Sequence, residues 1–418
     1  MSCMSNRPWS RRDALKLAAT SAALAVCPAA APATGIPSEG FGFFAYPEHA
    51  DEFTKEYNRY VANTGWKPRQ LLSFMGAFDA PSMLSYNDLH AAAWAAHPLT
   101  GPSRMTPILG VTTWTLDGSV TFDTALTGVN NPFWDRLITS WTDRGYRDLL
   151  VRLAYEDNFP TTPAGQGAEK GAFKGSTSVI SDFTDGRFAR AFRAVANKLH
   201  TIGRNRSARV KVVWGATHIH NCRVSPTVYY PDNPEFMDDG HGSVVDLHGP
   251  DLYSNNFWGD TSTEYHGYEN ARPFTLGFSP TGKAASVDVW AQHAGNKFHW
   301  FDFMDGAQDP NGAPGGGWSV WSALNFALKC PSGPKPVMWP EYGIISKWDG
   351  SGRGGLLDRD GLGYDPDLAR YARSRIQWFQ SKGGNFLGGC FWQGMSDAMQ
   401  ATHRTVFPEL IGTARSAN

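Results

Sequence analysis

A chain of 418 residues whose 38 basic and 39 acidic side chains leave a formal net charge of −1 has no field of one sign with which to hold nucleic acid or an anionic membrane. That length suits one large enzyme domain carrying loop insertions. Aromatic residues make up 13% of the chain, with 16 Trp among them, more than the packing of a core requires.

The first stretch reads as a processing signal, expected to stand outside the fold. Ser10-Arg-Arg-Asp-Ala-Leu-Lys16 stands before an apolar, alanine-rich segment from Leu17 to Val26, and small residues follow at Ala29-Ala-Ala-Pro-Ala33. This order predicts a twin-arginine export signal over residues 1–33, cleaved near Ala31 or Ala33, and a periplasmic or extracellular mature protein. Lipid attachment at Cys27 is disfavoured by the bulky Val26 before it. The apolar segment is too short to span a bilayer and no later one is long enough, so no stable membrane insertion is expected. About 385 residues then remain as a single domain, 34–418, expected to be a monomer.

From residue 41 the chain alternates apolar strands with amphipathic helices. Phe41–Tyr46 reads as the first strand, followed by Phe53, Tyr57 and Val61 on one helix face. Gln70–Gly76 is the second strand, with an alanine-rich helix over Met83–Ala96, and Met105–Trp114 is the third. Asn131-Pro132 opens the next helix and Gly145 ends it, ahead of a fourth strand in the apolar run Tyr146–Asn158. Phe188, Ala191, Phe192, Val195 and Leu199 form the following helical stripe, closed by Gly203, and Arg209–Ala216 is the fifth strand. Val244–Tyr253 is the sixth and Pro336–Glu341 the seventh. A helix capped by Asp365, with Pro366 in its first turn and Gly383 at its stop, leads to the eighth strand, Asn385–Trp392. Eight such units in one composition regime predict an α/β fold, a (β/α)8 TIM barrel with a parallel sheet. The long connections 157–185 and 255–317 both follow strands, which puts long loops on the C-terminal face; the second is read equally as a cleft wall or as a surface insertion.

Two of the strands end in a glutamate. The fourth runs Leu-Leu-Val-Arg152-Leu-Ala-Tyr155-Glu156-Asp-Asn158, and the seventh Pro336-Val-Met-Trp-Pro-Glu341. In this fold the residues that do chemistry sit at the C-terminal ends of strands, and two carboxylates there are the minimum needed to break a glycosidic bond. Period two would put Arg152 and Glu156 on the same side of the fourth strand, with the arginine's fixed charge favouring ionised carboxylates, or simply forming an ion pair with Glu156. Trp114, Trp214 and Trp392, near strand ends, are open to two readings, as stacking platforms for sugar rings or as core residues.

In its order of motifs the chain resembles family 26 of the glycoside hydrolases, which includes secreted β-mannanases, within the clan of retaining barrel glycosidases. Arg152-Leu-Ala-Tyr155-Glu156-Asp-Asn158 is similar to the family's Arg-x-x-His-Glu-x-Asn, and Phe133-Trp-Asp-Arg-Leu-Ile-Thr-Ser-Trp141 resembles the helix before it. Val212-Val-Trp214, Tyr229-Tyr-Pro231 and Val245-Asp-x-x-Gly-x-Asp251-x-Tyr253 are similar to the fifth and sixth strands, and Lys335-Pro-Val-Met-Trp-Pro-Glu341-x-Gly343 to the nucleophile strand. The resemblance covers about Thr106 to Trp392 and implies Glu156 as acid/base, Glu341 as nucleophile, Tyr253 as a hydrogen-bond donor to Glu341, and Asn158 as a contact to the sugar. Tyr155 stands where the family has histidine, a departure that bears on the substrate more than on the reaction. The expectation is a secreted retaining hydrolase, endo-acting on a β-linked polysaccharide, with no cofactor and no metal.

Two other readings stay open. A barrel of this kind can bind polysaccharide without cutting it, although both glutamates are present. His218-Ile-His220 resembles a metal pair, but metal-dependent barrel hydrolases carry that pair on the first strand, whereas here it follows the fifth, so polar loop histidines are favoured. Beyond the leader, Cys222, Cys330 and Cys390 are an odd set, so at least one cannot pair within the chain. Asp251 is read as orienting backbone or Tyr253 and not as an acid/base.

Overall fold

The computed structural model describes residues 41–75, 79–112, 115, 117–154, 183–216, 225–253, 320–343, 366–391 and 397–407. The chain divides into two units, Met1–Pro37, which lies outside the described residues, and Ser38–Asn418, to which all of them belong. The expected long loops 157–185 and 255–317 fall mostly or wholly outside the described residues.

The strands are β1 (Phe41–Phe44), β2 (Gln70–Phe74), β3 (Thr106–Val111), β4 (Asp148–Leu153), β5 (Arg209–Trp214), β6 (Leu247–His248), β7 (Leu252–Tyr253), β8 (Val337–Gly343) and β9 (Phe386–Phe391). All pair in parallel, each with its neighbour from β1 to β6; β6 then pairs with β8, β8 with β9, and β9 with β1. The ring is closed. β6 and β7 are two short pieces of one segment, both paired with β8, so the ring has eight staves and is a (β/α)8 barrel. The sixth strand was expected to be continuous. Pro250, which has no N–H to give to a ladder, falls between its two pieces, and the carboxylate of the next residue, Asp251, turns into the barrel.

Eight described helices surround the ring: α1 (Ala50–Thr64), α2 (Ala80–Ala96), α3 (Phe122–Thr127), α4 (Asn131–Thr142), α5 (Arg187–Asn205), α6 (Val320–Lys329), α7 (Pro366–Ser381) and α8 (Asp397–Val406). Asp79 caps α2 by accepting from the Ser82 N–H at 2.7 Å. α5 runs two residues past Gly203, which therefore does not stop the helix; a side chain there would collide with Val210 of β5, so the glycine lets helix and strand approach. α8 has no counterpart in the sequence reading. Its His403 meets the Tyr342 hydroxyl at 3.2 Å and packs on Phe41, Phe391 and Phe407.

Alternation along the strands divides the core into two shells. Phe41, Phe43, Leu71, Leu109, Leu149, Val151, Val212 and Trp214 belong to the apolar layer that the helices cover. Lateral register places Phe44, Leu72, Ile108 and Leu150 in one row, and Phe74, Gly110, Arg152, Val213 and Leu247 in the next. These rows face the barrel interior. Cys330 and Cys390 are buried free thiols, and Cys222 lies outside the described residues.

Candidate active site

The inner row that ends at the C-terminal rim contains one charged residue, Arg152 of β4. Gly110 stands beside it in register, and a side chain at Gly110 would meet the Phe74 ring at 2.5 Å. The missing side chain lets Phe74 lie over this position, with the Arg152 guanidinium 5.9 Å from its ring centre. Arg152 is fully buried, so its charge needs partners inside the barrel. Nη2 donates to Asp251, fully buried between β6 and β7, and Nη1 donates to Glu341 of β8, 5% exposed. β4 and β8 are not neighbours in the ring, so the Arg152–Glu341 contact crosses the barrel mouth.

Strict alternation would not aim Glu341 there. Trp339 and Tyr342 both lie in the outer layer, their rings stacked at 5.8 Å, although three positions separate them. The β8–β9 register explains this: Trp339 pairs with Gly389 and Tyr342 with Phe391, so β8 carries an extra residue across Pro340-Glu341. A bulge of this kind re-aims one side chain, here Glu341, into the mouth. β9 carries the compensating extra residue between Phe386 and Gly389, where Gly388 adopts φ +107°, a conformation that other residues avoid.

β4 ends at Leu153, and Ala154 is left-handed at φ +53° while donating its N–H to the Val111 carbonyl at 2.8 Å. A non-glycine residue held this way costs on the order of 1 kcal/mol, and such strain gathers at functional sites. The argument that period two carries Arg152 and Glu156 to one side therefore stops at Leu153. The described partners of Arg152 are Asp251 and Glu341; Asp251, expected to orient backbone or Tyr253, thus also engages this guanidinium.

Other expected site residues are distributed as follows. Tyr155, Glu156, Asn158, Trp114, Trp392, His218 and His220 lie outside the described residues. The backbone of Tyr253 pairs with Gly343, two residues beyond Glu341. Trp214 is 1% exposed, its indole packed at 5.0 Å from Tyr230, 5.1 Å from His248 and 6.1 Å from Phe326. It faces the helices and not the mouth, so of its two readings the core one holds. Among the described residues no group of three or more His, Cys, Asp and Glu is placed to hold a metal, and no helix is long and apolar enough to cross a membrane.

No family model matches the chain, and no curated protein sequence matches it significantly. Solved structures similar to it include the YdhT protein from Bacillus subtilis, at 13% identity and TM-score 0.41 over 89% of this chain and 85% of that one. A family 1 β-glucosidase from Thermotoga maritima is similar at 10% identity and TM-score 0.41, over 83% and 78%. GH26A from a Muricauda species is similar at 10% identity and TM-score 0.37, over 88% and 89%. The barrel assignment rests on the strand order of this chain itself.

Proposed function

We propose that the protein is a secreted, retaining glycoside hydrolase that cuts within a β-linked polysaccharide, with Glu341 as nucleophile and Glu156 as acid/base. The observation that carries the reading is Glu341, turned by a bulge at the C-terminal end of a barrel strand onto a buried arginine. In this mechanism Glu341 attacks the anomeric carbon while Glu156 protonates the departing oxygen; Glu156 then deprotonates the water that releases the sugar from Glu341. Arg152 fits both stages. When Glu341 becomes a neutral ester its negative charge is lost, yet the buried guanidinium still has Asp251 as counter-charge. A buried cation facing Glu341 alone would lose its only compensation at that step.

The first test is release of reducing ends from β-mannan, xylan, mixed-linkage glucan and acidic bacterial polysaccharides by the mature protein. The second is product stereochemistry by NMR. Native protein should give retained configuration, Glu341→Ala should be inactive until azide yields an inverted product, and Glu156→Ala with an activated aryl glycoside should give a retained azide adduct. Equal residual activity of both variants on both substrate types would remove the assignment of roles.

A further inference from the structure

Beside the Arg152–Glu341 pair, a continuous run of rings climbs from the barrel interior to the rim. Phe74, over Arg152, lies 5.6 Å from Phe44 of β1, and Phe44 lies 4.7 Å from Tyr46 in an edge-to-face contact. Tyr46 stands two residues past the end of β1, after Ala45, whose N–H still donates to the Leu72 carbonyl at 3.2 Å. Beyond it, 6.2 Å away, stands Tyr86 of α2, whose hydroxyl donates to Glu48 at 3.1 Å. Phe44, Tyr46 and Tyr86 are partly exposed and Glu48 is exposed.

This rim is held from beneath. His90, fully buried, lies 4.1 Å from Tyr86 and 5.8 Å from Tyr46 by ring centres, and the Ser73 hydroxyl is hydrogen-bonded to its Nδ1. Burial pushes the pKa of His90 down to about 4, so it adds no positive charge under the rings near neutral pH. The Tyr46 phenol is held above its ordinary value by burial, then by Glu48 and by Glu341, and so remains a neutral donor near an acidic pair. Flat ring faces, a phenol O–H and a carboxylate acceptor are the groups that recognise an uncharged, hydroxyl-rich ring. The two acidic neighbours oppose a uronate.

We propose that Phe44, Tyr46, Tyr86 and Glu48 form a further sugar-binding subsite, which holds an uncharged pyranose unit of the same chain whose scissile residue lies at Glu341. The subsite rests on the hydrolase reading for its substrate class, but its test does not require turnover. Tyr46 is a specificity residue, and His90 with Ser73 positions its platform.

The experiment is calorimetric titration on a Glu156→Gln background, with mannohexaose, xylohexaose, cellohexaose and a β-linked mannuronate hexamer as probes. A neutral hexamer should bind, Tyr46→Ala should weaken it about five- to tenfold, Tyr46→Phe should retain most of the affinity, and Glu48→Gln should weaken it by a smaller factor. The mannuronate hexamer should bind more weakly than the preferred neutral one. If Tyr46→Ala lowers the melting temperature, the exposed Glu48→Gln decides the result: weakened binding supports the subsite and unchanged binding overturns it. Unchanged affinity in folded Tyr46→Ala and in Glu48→Gln, tighter binding of the mannuronate probe, or no binding of any neutral hexamer would each overturn the subsite. Failure of the hydrolase reading would look different: the variants would lose binding as expected while native protein released no reducing ends.

Discussion

At the scale of single residues, the site is a charge balance enclosed in a barrel. Arg152 is one cation between two carboxylates, and all three are removed from water. Breaking such a buried pair by removing one partner typically costs about 3–5 kcal/mol, because the remaining charge is stranded. Asp251→Asn is therefore expected to lower stability by about 3 kcal/mol or more, measured by chemical denaturation, and to reduce kcat. A double-mutant cycle of Asp251→Asn with Arg152→Met should give a coupling energy above about 0.5 kcal/mol, the double variant being less destabilised than the sum of the singles. Additive effects would show that the two residues do not act as a unit. Glu341 was legible in the sequence because an apolar run ending in a glutamate is a local pattern. Asp251 as the partner of Arg152 was not, since 99 positions separate them and neither pattern points to the other.

At the scale of elements, a second buried arginine fixes the segment between β5 and β6. Arg193 of α5, 1% exposed, donates to Asp232 at 3.0 Å, to Asp239 at 2.8 Å, and to the carbonyls of Pro231, His241 and Gly242. Asp232 is itself fully buried and accepts from the backbone of Val244 at 2.8 Å, just ahead of β6. The helix thus sets where β6 begins and, through it, where Asp251 falls. Arg193→Met should cost about 3 kcal/mol, somewhat eased by Lys335 at 3.7 Å from Asp232, and should expose residues 231–243 to limited proteolysis. A variant with native melting temperature and native protease resistance would refute this role. The stripe on α5 was readable from helical spacing, but Arg193 lies among those apolar positions and its partners come from a distant loop.

At the scale of the whole molecule, three buried histidines among the described residues tie stability to pH. Burial pushes the pKa of His90 down to about 4, and those of His248 and His403 down to about 3. Below about pH 6.5 the unfolded chain binds protons at these positions while the folded protein does not, so acidification favours unfolding. Their stabilising contribution is complete above that pH and is lost as pH falls toward the depressed values. By pH 5 each histidine forfeits up to about 2 kcal/mol. Thermal melts should show a falling Tm from pH 7 to pH 5, and His403→Gln, able to keep the hydrogen bond to Tyr342, should flatten that slope. A Tm that held or rose over the interval would count against the mechanism.

The order of strands and helices, and with it the barrel, was determined by the sequence alone, because period two and helical spacing are local properties that each segment carries by itself. The glutamate at the end of the seventh strand was determined in the same way. What only the tertiary structure decided is where the side chains at the strand ends point. Trp214 and Glu341 both stand near strand ends in the sequence, which leaves their direction open; alternation sends Trp214 into the layer under the helices, and a bulge turns Glu341 into the mouth. Likewise, the β4 run reads as continuous through Glu156, while the chain leaves strand geometry at Ala154. A bulge is a mismatch between two paired strands, and the Arg152–Glu341 contact joins residues 189 positions apart across a closed ring. Neither exists until the strands are registered against one another, which no single segment encodes.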